Sequence, residues 1–124
     1  MVCADTNTWI AYLEGRSGPD VDVLDEALAS RSVKMAPVVL SELLSDPKLP
    51  ASDERDLIAI PLLEILPGYW ERAGKSRSRL FRRKARPKLA DTLIAQSCVD
   101  HDVVLLTRDR DFGWFVRHCG LKVL

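Results

Sequence analysis

Apolar residues along this chain fall into short blocks separated by longer stretches in which they recur at helical spacing. Val2–Ala4, Val33–Ala36, Leu62–Leu66, Val103–Leu106 and Leu121–Leu124 are each apolar but for at most one residue, the pattern of strands buried on both faces. Between them the period changes. Asp5-Thr6-Asn7 supplies capping side chains for a helix that continues through Thr8–Leu13 until Gly15. After the turn Ser17-Gly18-Pro19-Asp20, residues Val21, Leu24, Ala27 and Leu28 share one helical face. Pro37 fits the first turn of a helix carrying Val38, Val39, Leu40, Leu43 and Leu44, which Asp46-Pro47 breaks. Ser52 is placed to cap a helix reaching Ile58 or Ile60, with Asp53 and Glu54 in its first turn. Tyr69 to about Lys84 predicts a long, mostly polar helix, interrupted by Arg86-Pro87-Lys88. The clearest amphipathic pattern is Leu89–His101, with Ala90, Leu93, Ile94, Ser97 and Cys98 on one face. Phe112–His118 predicts a last short helix that Gly120 ends.

Strands alternating with helices imply an α/β fold, a parallel sheet with helices on both faces. Ligands of such sheets sit outside the carboxyl ends of the strands, so the residues just after each strand are the ones to inspect. At 124 residues the chain makes one domain, 1–124, long enough to bury a core without staples.

Composition removes several classes. With 47% apolar and 29% charged residues and no apolar run near the roughly 18 needed for a span, a membrane protein is not expected. Met1-Val2-Cys3-Ala4-Asp5 lacks the basic and then apolar layout of a signal peptide, so the expected location is the cytoplasm. Cys3, Cys98 and Cys119 are odd in number and widely spaced, which predicts small buried thiols, not a disulfide frame or a zinc site.

The formal net charge is zero, but it is unevenly spread. Residues 1–68 hold twelve acids and five bases, residues 69–124 six acids and thirteen bases, a net of −7 against +7. Nine bases and no acid lie between Arg72 and Lys88, so overall neutrality says nothing against a polyanionic partner.

Four acids stand where the strand ends lead. Asp5 ends the first strand, Asp109 follows the Val103–Leu106 strand, Asp91 lies in the first turn of the amphipathic helix at the edge of its apolar face, and Glu42 falls beside Val38 and Val39. Singly, each has an ordinary reading: Asp5 and Asp91 as acids at helix N-termini, Glu42 as a solvated helix residue, Asp109 as a loop acid. Together they form a constellation. Two like charges about 4 Å apart repel by roughly 4 kcal/mol at an effective dielectric near 20. Several carboxylates in one cleft must therefore take up protons or bind hard cations. All-carboxylate ligation suits Mg²⁺ or Mn²⁺, and such an ion can polarise a phosphate oxygen and acidify a bound water. Phosphodiester hydrolysis is the matching chemistry. With only two histidines, both near the C-terminus, no Ser–His–Asp arrangement competes.

The four acids also sit in recognisable motifs. Asp5-Thr6-Asn7-Thr8-Trp9-Ile10, Ser41-Glu42-Leu43, Asp91-Thr92-Leu93-Ile94-Ala95 and Leu105-Leu106-Thr107-Arg108-Asp109-Arg110-Asp111-Phe112 resemble, in order, the four acidic motifs of PIN domains. Their spacing resembles that of the compact VapC toxins of VapBC toxin–antitoxin pairs, over nearly the whole chain. The resemblance implies a single PIN-like domain with a parallel five-stranded sheet flanked by helices. It further implies a Mg²⁺- or Mn²⁺-dependent endoribonuclease whose metal ligands and catalytic acids are Asp5, Glu42, Asp91 and Asp109. Thr107 would orient groups through its hydroxyl, and Asn7 would do so near Asp5. Asp111 either extends the site or caps the helix beginning at Phe112. The resemblance also implies a VapB-type antitoxin that covers the site, and a homodimer, for which the helix with Leu40, Leu43 and Leu44 offers apolar surface.

Arg72, Lys75, Arg77, Arg79, Arg82, Arg83, Lys84, Arg86 and Lys88 are read as a phosphate-tracking surface for RNA leading toward Asp91, with Tyr69, Trp70 and Phe81 available to stack on unpaired bases. The competing reading is a solvated polar helix whose aromatics turn inward. Two other functions fit parts of the pattern. A phosphoacceptor receiver domain would need paired acids after the first strand and a lysine near the last; Asp5 stands alone and Lys122 falls inside the final strand. A catalytically inactive PIN-like RNA- or protein-binding module would not need all four acids.

Overall fold

The computed structural model describes residues 1–124, in the order β1 (Val2–Ala4), α1 (Thr6–Leu13), α2 (Pro19–Ala29), β2 (Val33–Lys34), α3 (Pro37–Leu44), α4 (Ala51–Ile58), α5 (Tyr69–Arg82), α6 (Leu89–Asp100), β3 (Val104–Leu106) and α7 (Gly113–Cys119), with a 3-10 turn at Arg110–Phe112. The sheet is parallel, ordered β2-β1-β3, with Ala4 opposite Leu106 and Val2 opposite Val33. It has three strands and not five. The two missing strands survive as one-residue parallel bridges, Met35 to Leu62 beside β2 and Leu105 to Val123 beside β3. The physical reason is local. Met35 bonds to both Pro61 and Leu63, but Ala36 already caps α3, so the partner strand runs out after one residue. At the other edge, the left-handed Gly120 (φ 78°) ends α7, and the chain then meets β3 only at Val123.

Trp9, Met35, Ile94, Leu105, Leu106, Phe112 and Phe115 are all buried, filling the space between sheet and helices as one core. The first turn of α4 begins two residues earlier than the Ser52 cap predicts: Pro50 occupies the capping position, since its fixed φ suits the bend. Helix α6 departs more from expectation. Thr92, Ile94, Ala95, Gln96, Ser97 and Cys98 are buried, so it is enclosed on more than one face, while Leu89 is exposed. It packs against β3, α3, α5 and α7, and its polar residues are absorbed there: Gln96 donates to Asp100 and accepts from Ser76, and the Tyr69 hydroxyl donates to the Leu93 carbonyl. Tyr69 is thus a core residue and no stacking platform; Trp70 and Phe81 remain exposed. Cys3 and Cys98 are buried thiols and Cys119 is partly buried, all free. No helix is long and apolar enough to cross a membrane.

Candidate active site

Because β1 and β3 are adjacent and parallel, their carboxyl ends deliver Asp5 and Thr107 side by side. The Asp5 amide donates to the Leu106 carbonyl (3.1 Å), and the Thr107 hydroxyl donates to Asp5 Oδ2 at 2.6 Å. Asp5 Oδ1 accepts from the Thr8 amide at 2.9 Å and so caps α1. Helix cap and site residue are one role here, not two. Although both oxygens are bonded, burial dominates and raises the Asp5 pKa, with the Asp109 charge adding to it.

Asp109 lies two residues past Thr107, its amide held by the Thr107 hydroxyl at 3.0 Å. Its carboxylate accepts from the Asp111 amide at 2.9 Å and caps the 3-10 turn. Asp109 therefore does the capping, and Asp111 is left exposed in the turn, where it borders a pocket shared with Asp91. Asp91, in the first turn of α6, is pushed up to about 6 by burial first, then by the Asp109 charge, with Asp5 and Glu42 contributing; Lys88 pulls the other way. Glu42 reaches the cleft from α3, where the Thr6 hydroxyl donates to its Oε1 at 2.6 Å. Asp5, Glu42, Asp91 and Asp109 border one cleft of about 160 Å³, with Thr6, Asn7 and Lys88 on its walls. Asn7 lines that cleft, while the bonds to Asp5 come from Thr8 and Thr107. No three of the acids are drawn into a compact ligand cluster. Four carboxylates facing one another repel, and their mutual charge is visible in the raised pKa of Asp91. An all-oxygen set of four carboxylates sharing one cleft, in which burial and the neighbouring charges already raise the pKa of Asp91, fits a hard divalent cation.

Behind the cleft runs a closed ring of bonds that the sequence did not announce. Arg108 grips Asp20 through two bonds of 2.9 Å and also donates to the Ser17 carbonyl at 3.3 Å. Asp20 accepts from the Thr8 hydroxyl at 2.8 Å, and the Thr8 amide holds Asp5, which Thr107 holds in turn. Arg108 sits between Thr107 and Asp109, so the ring ties the loop after β3 to the start of α1 and α2. Gly18 is part of it: a Cβ there would stand 2.8 Å from an Arg108 nitrogen. Thr6, Thr8, Asp20 and Arg108 are the site residues sequence reading missed.

The nine bases do not form one even strip. Arg72 is paired with Asp100 (2.6 Å) at the far end of α6 from Asp91, nine residues or about 13 Å along the helix. Arg77 and Arg79 donate to the Pro87 and His118 carbonyls, and Lys75 borders a separate hollow with Gln96 and Cys119. Arg82, Arg83 and Lys84 are exposed at the end of α5, Arg86 and Lys88 border a pocket with Asp91, and Lys88 also reaches the carboxylate cleft.

The PIN-domain model matches residues 2–115. The chain belongs to the PIN-domain family. Among solved structures, this PIN domain is similar to a chain of VapBC2 from Rickettsia felis bound to a promoter DNA fragment, with a TM-score of 0.75 at 18% identity, covering 100% of this chain and 98% of that one. FitAcB from Neisseria gonorrhoeae gives 0.71 at 19% identity over 100% and 96%. VapBC-5 of Mycobacterium tuberculosis, a member of the VapBC family of toxin–antitoxin systems, gives 0.67 at 18% over 99% and 96%. These likenesses are of fold. No curated protein matches this PIN domain in sequence.

Proposed function

We propose that this PIN domain is a Mg²⁺- or Mn²⁺-dependent endoribonuclease acting as the VapC-type toxin of a toxin–antitoxin pair in the cytoplasm. The observation that carries this reading is that all four motif acids, separated by up to 104 positions, border one cleft at the carboxyl end of the sheet. A divalent cation bound there would polarise a phosphodiester and ionise a water to attack it. The chain's own residues do the rest. Asp5, Glu42, Asp91 and Asp109 supply the oxygens that hold the ion. Thr107 and Thr8 fix both oxygens of Asp5, and Thr6 fixes Glu42, so ordering is done before substrate arrives. Lys88 and Arg86 offset the repulsion that an anionic substrate meets at a carboxylate cleft.

The proposed protein partner has a surface as well. A groove of about 430 Å³ lined by Ile10, Leu13, Leu43 and Leu49 runs from Glu42 past an acidic rim of Glu14, Asp46 and Asp53. It suits an antitoxin segment combining apolar and basic side chains. For the homodimer, Leu43 is buried, whereas Ile58, Leu62 and Ile65 are among the exposed apolar side chains. The deciding experiment is Mg²⁺- or Mn²⁺-dependent cleavage of cellular RNA by the wild type against Asp5→Ala and Asp91→Asn. Loss of cleavage and of growth arrest in both variants is expected. A wild type that binds RNA and cleaves none with either ion would make it the inactive binding module.

A further inference from the structure

Directly beside the carboxylate cleft lies a second pocket of about 150 Å³, lined by Arg86, Lys88, Asp91, Asp111, Trp114 and the core residue Phe115. It shares Asp91 and Lys88 with the cleft, so a chain whose phosphate lies among the acids can reach it with a neighbouring nucleotide. The lining is split by charge. Arg86 and Lys88 are exposed cations suited to phosphate, and Arg86 keeps free donors although one of its nitrogens reaches the Ala85 carbonyl at 3.2 Å. Trp114 is half-buried, held by core packing, by the Arg117 guanidinium 4.9 Å from its ring centre and by stacking on His118. A fixed indole is a stacking surface that costs little ordering.

Asp111 is the anomaly in such a pocket. Its amide is spent on Asp109, while no group of the chain donates to its carboxylate, and a free carboxylate repels the phosphates that Arg86 and Lys88 attract. It is free to accept from a donor on the substrate. Of the four RNA bases, only guanine presents two adjacent N–H groups on its Watson–Crick edge, matching two carboxylate oxygens. We propose that this pocket is a nucleotide subsite that takes one unpaired guanosine beside the scissile phosphate, with Trp114 stacking on the base and Asp111 as the specificity-determining residue. The subsite rests on the ribonuclease reading above.

The test has two arms. In the first, wild-type protein cuts a randomised single-stranded RNA pool with Mn²⁺, and the new ends are sequenced. Guanine should be enriched at one position beside the cut, and inosine there should lower kcat/KM by roughly tenfold, the loss of one of two readout bonds. Asp111→Asn should abolish the enrichment. In the second arm, a fluorescent single-stranded oligouridylate carrying one guanosine is titrated in EDTA, where no cation takes part. Trp114→Ala should weaken binding by roughly tenfold, with Trp114→Phe restoring most of it and so separating stacking from misfolding. Unchanged base preference in Asp111→Asn overturns the subsite, and so does loss of Mn²⁺ binding in that variant, which would make Asp111 a metal ligand. Failure of the wild type to cut any RNA sinks the ribonuclease reading instead, and the EDTA titration still reads the pocket.

Discussion

A carboxylate whose pKa lies near 6 inside a fold is a group the fold would rather have neutral. Asp91 is that group, through burial and the facing charge of Asp109. For an acid with a raised folded-state pKa, the penalty is absent below the ordinary value near 3.8 and complete above about 6. In chelator, Asp91→Asn should therefore stabilise the protein at pH 7.5 by about 1 kcal/mol after allowance for solvent screening, roughly 4 °C in Tm. At pH 3.5 the gain should vanish. Thermal melts at the two pH values check this, and a variant that melts lower at pH 7.5 would show that Asp91 is held by favourable contacts. Replacing this residue is thus expected to cost activity and to raise stability. Asp5, Asp91 and Asp109 were legible as candidates because each follows a strand or starts a helix, and Glu42, inside α3, because of the motif around it. The Thr6 bond to Glu42 was hidden, since it spans 36 positions and depends on how α1 packs on α3.

Between elements, the Arg108–Asp20 clamp does what no single helix can. It spans 88 positions and holds the loop after β3 against α2, with Thr8 passing the constraint to Asp5. The Arg108 guanidinium holds the Asp20 carboxyl below its usual range, so this contribution is present above the ordinary carboxylate pKa and is lost as pH falls through the lowered one. Arg108→Ala should lower Tm by several degrees at pH 7 and hardly at all near pH 2. It should also depress kcat more than KM for RNA, because Asp5 and Asp109 lose their fixed relation. An equal Tm loss at both pH values would mean that packing of the side chain matters and its charge does not. At this scale the sequence was read correctly for helix order and incorrectly for extent. Leu62–Leu66 and Leu121–Leu124 have the composition of strands, yet pairing needs a partner of equal length, and β2 ends where Pro37 starts a helix. Likewise the period of α6 predicted one buried face. Neighbours on several sides override periodicity, and Gln96 and Ser97 are buried in its middle.

Over the whole molecule, the opposite charges of the two halves acquire places. Arg82, Arg83 and Lys84 form a free cationic end on α5, on the same side of the sequence as Arg86 and Lys88, which border the cleft region. Arg82→Glu combined with Arg83→Glu should weaken RNA binding roughly tenfold at low salt and flatten the salt dependence by about one to two ions. Divalent-cation affinity should stay nearly unchanged, as isothermal titration would register. Undiminished RNA binding would assign that end of α5 to solvent alone. Arg72 should behave differently from this pair, being already neutralised by Asp100.

The narrowness of the sheet has its own consequence for company. A β-sheet flank with several unpaired amides invites another chain to add a strand, but here each flank is a lone bridging residue, Leu62 on one side and Val123 on the other. There is no ladder to extend. A second copy or an unrelated protein is then recognised by side chains of helices and loops, which makes association a matter of shape and charge that point substitutions can tune.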